Sequence, residues 1–253
     1  MGRIVDVSAW TGTWSSLGVR GQASIVRRQL KDAGVDRIFM ASLDGVWSPN
    51  PHLANVDVYE AAERWEDVFP VPVIDPTIAT WTAEVELARV HPRVRVVKCL
   101  PSYTPFQLDD SRPLAEALVE AGLGLIVQIR VEDPRRQHPL AQVPDVPIQD
   151  VVQLALRHPD LTVIAAGAAW STIDGIADVL VETVNLYADV SHADGMDSVK
   201  RFVERGLQDK LLFGTHAPLF IPRAAISRVV ADLDDGPAGA ILGGNAEALL
   251  QLD

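Results

Sequence analysis

Residues 210–216 read KLLFGTH. Leu211, Leu212 and Phe213 make an unbroken apolar run, flanked by Lys210 and Gly214. A run that short, bounded by a turn signal, reads as a strand buried on both faces. Seven more runs of the same kind precede it: RIVDVSA (3–9), DRIFMAS (36–42), FPVPVID (69–75), VRVVKCL (94–100), LGLIVQIR (123–130), LTVIAAG (161–167) and NLYADVS (185–191). Between them lie SIVRRQLKDAG (24–34), VDVYEAAERWED (56–67), AEVELARVH (83–91), PLAEALVEAG (113–122), IQDVVQLALRH (148–158) and MDSVKRFVERG (196–206). Their apolar residues recur three and four apart, the pattern of helices packed by one face. Strands alternating with helices imply βαβ units and a parallel sheet. Eight such units in 253 residues match the size of a (β/α)8 TIM-type barrel. The rival, a doubly wound open sheet, lacks a GxGxxG opening any helix. No shift in composition marks a boundary, so a single barrel domain over 1–253 is expected.

Composition narrows the class. Hydrophobic residues make up 48% of the chain, enough for a sizeable core. The one cysteine, Cys99, leaves no internal disulfide and fits a reducing compartment. The start, MGRIVDVSAW, carries no basic segment followed by an apolar stretch of signal-peptide length. No apolar run approaches the roughly 18 residues of a membrane span. A net charge of -12 disfavours nucleic acid, whose phosphates need a basic face. The expectation is a soluble, cytoplasmic protein that takes a small-molecule substrate and binds neither nucleic acid nor membrane. Homo-oligomerisation stays open.

In such a barrel the strand-to-helix loops carry the active face. His52, His138, His192 and His216 follow strands, whereas His91 and His158 sit in His-Pro steps just before strands and read as structural. Trp10, Trp14, Trp47, Trp81 and Trp170 also follow strands, either as a plug closing the barrel or as walls of a pocket. Strand alternation puts Asp6, Ser8 and Trp10 on one face, Gln128, Arg130 and Glu132 on another, and Asp189 with Ser191 on a third. If these faces point inward, the mouth gathers Asp6, Asp189, Glu132, Lys98, Arg130 and His216. Buried charges persist only when paired, so a salt-bridged plug is the plain alternative to a reactive site. The proline-rich stretch VEDPRRQHPLAQVPDVP (131–147) is long enough to be a functional loop and would bring Arg136 and His138 over the same mouth. Gly243-Gly244-Asn245 could bind an anion at a helix start or serve as a cap. No GxSxG nucleophile elbow is present.

Five segments carry a resemblance: IVDVSAWTG (4–12), HPDLTVIAAG (158–167), NLYADVS (185–191), LLFGTHAP (211–218) and ILGGNAEALL (241–250). Together they resemble the amidohydrolase-related branch of the metal-dependent hydrolase superfamily, the branch of the aminocarboxymuconate-semialdehyde-decarboxylase-like proteins. The resemblance implies a TIM barrel with a metal held by Asp-x-His-x-His on the first strand, two further histidines and a last-strand aspartate. Here Ser8 and Trp10 stand at the two histidine positions, Gln128 and about Gly167 at the next two, and His216 at the aspartate that doubles as proton shuttle. Serine, tryptophan, glutamine and glycine do not rebuild a His-rich metal shell.

The expectation drawn is a hydrolase of a small carboxylated or cyclic ester or amide substrate, with no cofactor and no metal ligand. His216 would be general acid or base, oriented by Asp6 or Asp189. Lys98 and Arg130 would hold a carboxylate or oxyanion, with Gln128, Glu132, Arg136, His138, His192, Trp10, Trp47 and Trp170 lining the substrate. Two alternatives remain: a metal-dependent hydrolase or decarboxylase using one divalent ion such as zinc at a rearranged site, and a non-catalytic ligand- or partner-binding barrel.

Overall fold

A computed structural model describes residues 2–14 and 18–252. Its strands are β1 (Val5–Trp14), β2 (Val19–Gly21), β3 (Arg37–Ser42), β4 (Val68–Pro70), β5 (Val96–Cys99), β6 (Gly124–Gln128), β7 (Val163–Ala166), β8 (Leu186–Asp189) and β9 (Leu211–Leu212). The ladders give two sheets, ordered β2-β1-β3-β4 and β5-β6-β7-β8-β9, parallel except for β2. Two seams join them into a barrel. At one, Val73 bridges Lys98, and Ile74 N–H donates to the Lys98 carbonyl at 2.8 Å. At the other, Val7 N–H donates to Phe213 O at 3.0 Å and Trp10 N–H to Ala217 O at 2.8 Å.

Each of the eight runs supplies one barrel strand. The run at 69–75 yields a short β4 because Pro70 and Pro72 have no N–H to give the ladder, which resumes only at Val73. The antiparallel β2, paired with the far end of β1, falls outside the expected runs. The fold also corrects the expected alternation in β1. Asp6 pairs with Ile38, but Ala9 pairs with Met40 and Trp10 with Ala41, so one extra residue is accommodated at 7–8. Ile38 belongs to the layer under the helices and Ala41 to the barrel interior. The bulge therefore puts Asp6 and Trp10 on opposite faces.

Helices α1 (Ala23–Ala33), α2 (Asn55–Arg64), α3 (Trp81–Val90), α4 (Arg112–Ala121), α5 (Ile148–Arg157), α6 (Trp170–Asp174), α7 (Ala177–Glu182), α8 (Ser198–Glu204), α9 (Pro222–Val230), α10 (Asp235–Gly239) and α11 (Asn245–Leu249) wrap the strands. Helix α1 shows the logic: Val26 and Leu30 are buried four residues apart, and Gly34 ends the helix at φ 98°, donating to Leu30 O and Lys31 O. One apolar layer lies between barrel and helices, and a second fills the barrel from Val5, Phe39, Val96, Ile126, Ile164 and Leu212. Gly243 passes so close to β1 that a Cβ there would lie 2.0 Å from Arg3 O. Asn245 Nδ2 donates to Gln208 O and Leu211 O, both at 2.8 Å, so the Gly-Gly-Asn step locks the last helix to β9. No helix among the described residues is long and apolar enough to cross a membrane.

Candidate active site

Lys98 stands inside the barrel near the end of β5, 1% exposed. Its Nζ donates to Gln128 Oε1 at 2.8 Å and lies 3.9 Å from the centre of the Trp10 ring. Gln128 is fixed in turn by donating to Arg130 O at 2.7 Å. Burial pushes the Lys98 ammonium down to about 7, against the opposing pull of Asp189 and Asp6. Among the described residues Lys98 makes no ion pair.

On the neighbouring side, Asp189 ends β8. Its Oδ1 accepts from Gly167 N–H at 3.0 Å, Ser191 N–H at 3.2 Å and Ser191 Oγ–H at 2.8 Å. Its Oδ2 is buried without a hydrogen-bond partner. Ser191 Oγ also lies 3.1 Å from His192 Nδ1, and His192 Nε2 is buried and unpartnered. Glycines make room: a Cβ at Gly214 would come within 2.7 Å of Ser8 Cβ and 3.0 Å of Asp189 Oδ2, and one at Gly167 within 2.6 Å of Gln128 Nε2. Burial, then His216, Arg130 and Arg228, hold the His192 imidazole well below its usual range.

His216 is fully buried, and its backbone takes a left-handed φ of 56°. Trp10 Nε1–H donates to its Nδ1 at 3.2 Å, and its Nε2 lies 2.8 Å from Val131 O. A carbonyl can only accept, so Nε2 carries the proton and both ring nitrogens are engaged. Burial lowers this imidazole to about 3. The general acid or base role expected of His216 requires one of those bonds to break. Asp6 does not orient the ring directly. Its Oδ1 accepts from Ser8 N–H and Thr215 N–H, both at 3.0 Å, and its Oδ2 from Thr215 Oγ–H. Burial raises the Asp6 carboxyl to about 6 despite these bonds.

A loop seals the mouth. Val146 N–H donates to Ile129 O at 3.0 Å and Arg130 pairs with Asp145, so residues 130–145 leave and return at one neck. Inside the loop, Val131 O meets His216, and Glu132 Oε2 accepts from Trp14 Nε1–H at 3.1 Å. Gln137 ties the loop to itself through Glu132 O and Val143 O. Several expected contacts are corrected. Arg130 is committed to Asp145 rather than to the mouth. Arg136 and His138 are exposed on the loop's outer side, because Gln137 takes the inward position between them. Trp170 packs on Gly195, whose Cβ would fall 2.6 Å from the indole, and so faces that loop instead. Trp47 is 57% exposed, stacked on Trp14 and edge-on to Tyr103 at the rim. A cavity of about 410 Å³ lies off the mouth between Gly12, Gly21, Asp44, Asp57 and Arg64. Ser191, placed on one face with Asp189 from the sequence, was given no role in the site there. Its signal was the Asp-x-Ser-His spacing at 189–192, which sets a hydroxyl between a carboxylate and an imidazole.

The family model described as Amidohydrolase matches residues 15–252. The chain belongs to the amidohydrolase family. The match begins just past β1, so the strand carrying Asp6, Ser8 and Trp10 lies outside it. No curated protein matches this amidohydrolase. Among solved structures it is similar to 2,6-dihydroxybenzoate decarboxylase complexed with 2,6-dihydroxybenzoate (14% identity, 100% of each chain, TM-score 0.74). It is similar to a dihydroxybenzoic acid decarboxylase from Polaromonas with bound manganese and the inhibitor 2-nitroresorcinol (13%, 100% of this chain and 98% of that one, TM-score 0.73). A third is a 5-carboxyvanillate decarboxylase mutant from Novosphingobium aromaticivorans with bound manganese and 3-methoxy-4-hydroxy-5-nitrobenzoic acid (13%, 89% and 80%, TM-score 0.70). At these identities the likeness shows the fold. The expectation of no cofactor does not stand, because manganese is bound in two of these structures. The described side chains of this amidohydrolase do not assemble a matching donor set: no three His, Cys, Asp or Glu come together as a group that could hold a metal ion. The strand-end position at β5 holds a cation, Lys98, bonded to an amide.

Proposed function

We propose that this amidohydrolase removes CO2 from a small hydroxylated aromatic carboxylic acid held in the barrel mouth beneath the 130–145 loop. The observation that carries the reading is Lys98. It is an ammonium buried inside the barrel, with Gln128 Oε1 as its one hydrogen-bond acceptor among the described residues and an indole face beside it. Three N–H donors and one acceptor leave capacity for a ligand carboxylate or phenolate. Its affinity for protons, brought down to about 7, suits a donor working near neutrality. In the reaction the bond between ring and carboxyl carbon breaks, its electron pair stays on the ring carbon, CO2 leaves and Lys98 supplies the proton that replaces it. The acids bound or acted on by the similar structures support this substrate class. Closure of the loop over the mouth excludes water from the carbanionic stage and requires the loop to lift for entry.

The test is CO2 release from carboxyl-labelled 2,6-dihydroxybenzoate and 5-carboxyvanillate, with and without added manganese, alongside elemental analysis of the purified protein. Turnover that falls about 100-fold or more in Lys98→Met is expected. Hydrolysis of lactones without CO2 release would transfer the chain to the hydrolase reading. Tight binding with no product would make it a binding barrel.

A further inference from the structure

Asp189, Ser191 and His192 form a hydrogen-bonded line whose proton positions are fixed by its carboxylate end. Ser191 Oγ is 2.8 Å from Asp189 Oδ1. A carboxylate oxygen offers only lone pairs, so the hydroxyl hydrogen points to Asp189. The Ser191 oxygen is then free to accept, and its 3.1 Å contact with His192 Nδ1 is a bond donated by Nδ1–H. This assigns the tautomer: Nδ1 carries the proton and Nε2 carries a lone pair. That lone pair has no partner among the described residues, although His192 is only 5% exposed. Its ring is packed by His216, with centroids 4.5 Å apart, and by Phe220 at 4.8 Å. Arg228 braces the backbone behind it, donating to Val190 O at 3.2 Å and Ser191 O at 3.1 Å. A buried acceptor left unpaired is costly, and a catalytic role or a bound partner is among the reasons for keeping one.

We propose that His192, through Nε2, is the group that accepts a hydroxyl proton from the bound substrate, with Ser191 and Asp189 as its positioning residues. The proposal rests on the reading of the mouth as the reaction site and assigns there a task that His216, bonded at both nitrogens, is not free to perform. In the step the Nε2 lone pair forms an N–H bond and the substrate O–H bond breaks. Its electron pair stays on the oxygen as a phenolate. The positive charge gained by the ring is stabilised through Nδ1–H, Ser191 and the Asp189 carboxylate. Burial keeps the ring neutral beforehand, so the lone pair is available at neutral pH.

Two measurements keep this proposal separate from the decarboxylase reading. In 15N-histidine-labelled protein at neutral pH, two-bond nitrogen–proton correlations, assigned with His192→Gln, should show His192 neutral with the proton on Nδ1. Ser191→Ala should shift that population toward Nε2–H, and Ser191→Thr should restore it. A wild-type ring protonated on Nε2 overturns the proposal whether or not any substrate is turned over. On 2,6-dihydroxybenzoate, His192→Gln should lower kcat about 100-fold with KM little changed, and Ser191→Ala about 10-fold. Full activity in His192→Gln beside loss in Lys98→Met would remove His192 while leaving the decarboxylase reading intact.

Discussion

His216 is fully buried just past the end of the last barrel strand. It is locked between Trp10 and Val131 as a neutral ring, and burial lowers it to about 3 from an ordinary 6.5. Because the unfolded chain binds that proton more readily, the neutral ring contributes stability that is complete above about pH 6.5 and is lost as pH falls toward 3. His216→Asn keeps a side chain tolerant of the left-handed backbone but has no titrating group. Denaturant melts between pH 7 and 4 should therefore show wild type losing stability faster than the variant, by at most about 1.4 kcal/mol per pH unit. Equal slopes would mean that the folded ring takes up its proton as readily as the unfolded one. The residue-level pattern was legible only in part. The gathering of Lys98, Asp189 and His216 at strand ends follows from the barrel alone. The facing of Asp6 does not, because the extra residue at 7–8 leaves no mark in the hydrophobic pattern. Nor does composition tell that Gln137, and not Arg136 or His138, turns inward.

Among the elements, the 130–145 loop and the last helices carry separate consequences. The loop is tied at its neck by Arg130–Asp145 and the Val146–Ile129 bond, and just beyond it by the bond from Trp14 to Glu132. Removing the clasp with Asp145→Ala leaves the Arg130 guanidinium without its carboxylate. Amide exchange within 131–146 should then speed up about tenfold, while amides of β6 and β7 keep wild-type protection. Protection unchanged in the loop would show that Glu132 and Gln137 suffice to hold it. At the other end of the chain, Gly243→Ala forces a methyl onto Arg3 O. Thermal or urea melts should show a loss of about 1–3 kcal/mol. That glycine reads in sequence as a cap or an anion site, since nothing local tells that another strand passes against it.

Across the molecule, eight parallel strands between Val5 and Leu212 converge, and their closure depends on two seams between the sheets. The period of the apolar runs was enough to give the barrel, because burial on both faces leaves a continuous hydrophobic signature. The short antiparallel strand β2 and the sealed mouth depend on pairings between distant residues, which no local pattern encodes. Under the proposed reading the ligand takes the mouth beneath the loop, beside Lys98, Asp189 and His192, and the 410 Å³ cavity beside Asp44 and Arg64 is the rival place. A crystal structure of the protein with 2,6-dihydroxybenzoate decides between them. The expected result is an aromatic acid under a displaced 130–145 loop, its carboxylate or hydroxyl within hydrogen-bond distance of Lys98 Nζ and a hydroxyl facing His192 Nε2. The acid seated in the cavity beside Asp44 and Arg64, with Lys98 still enclosed by Gln128 and Trp10 alone, would contradict it.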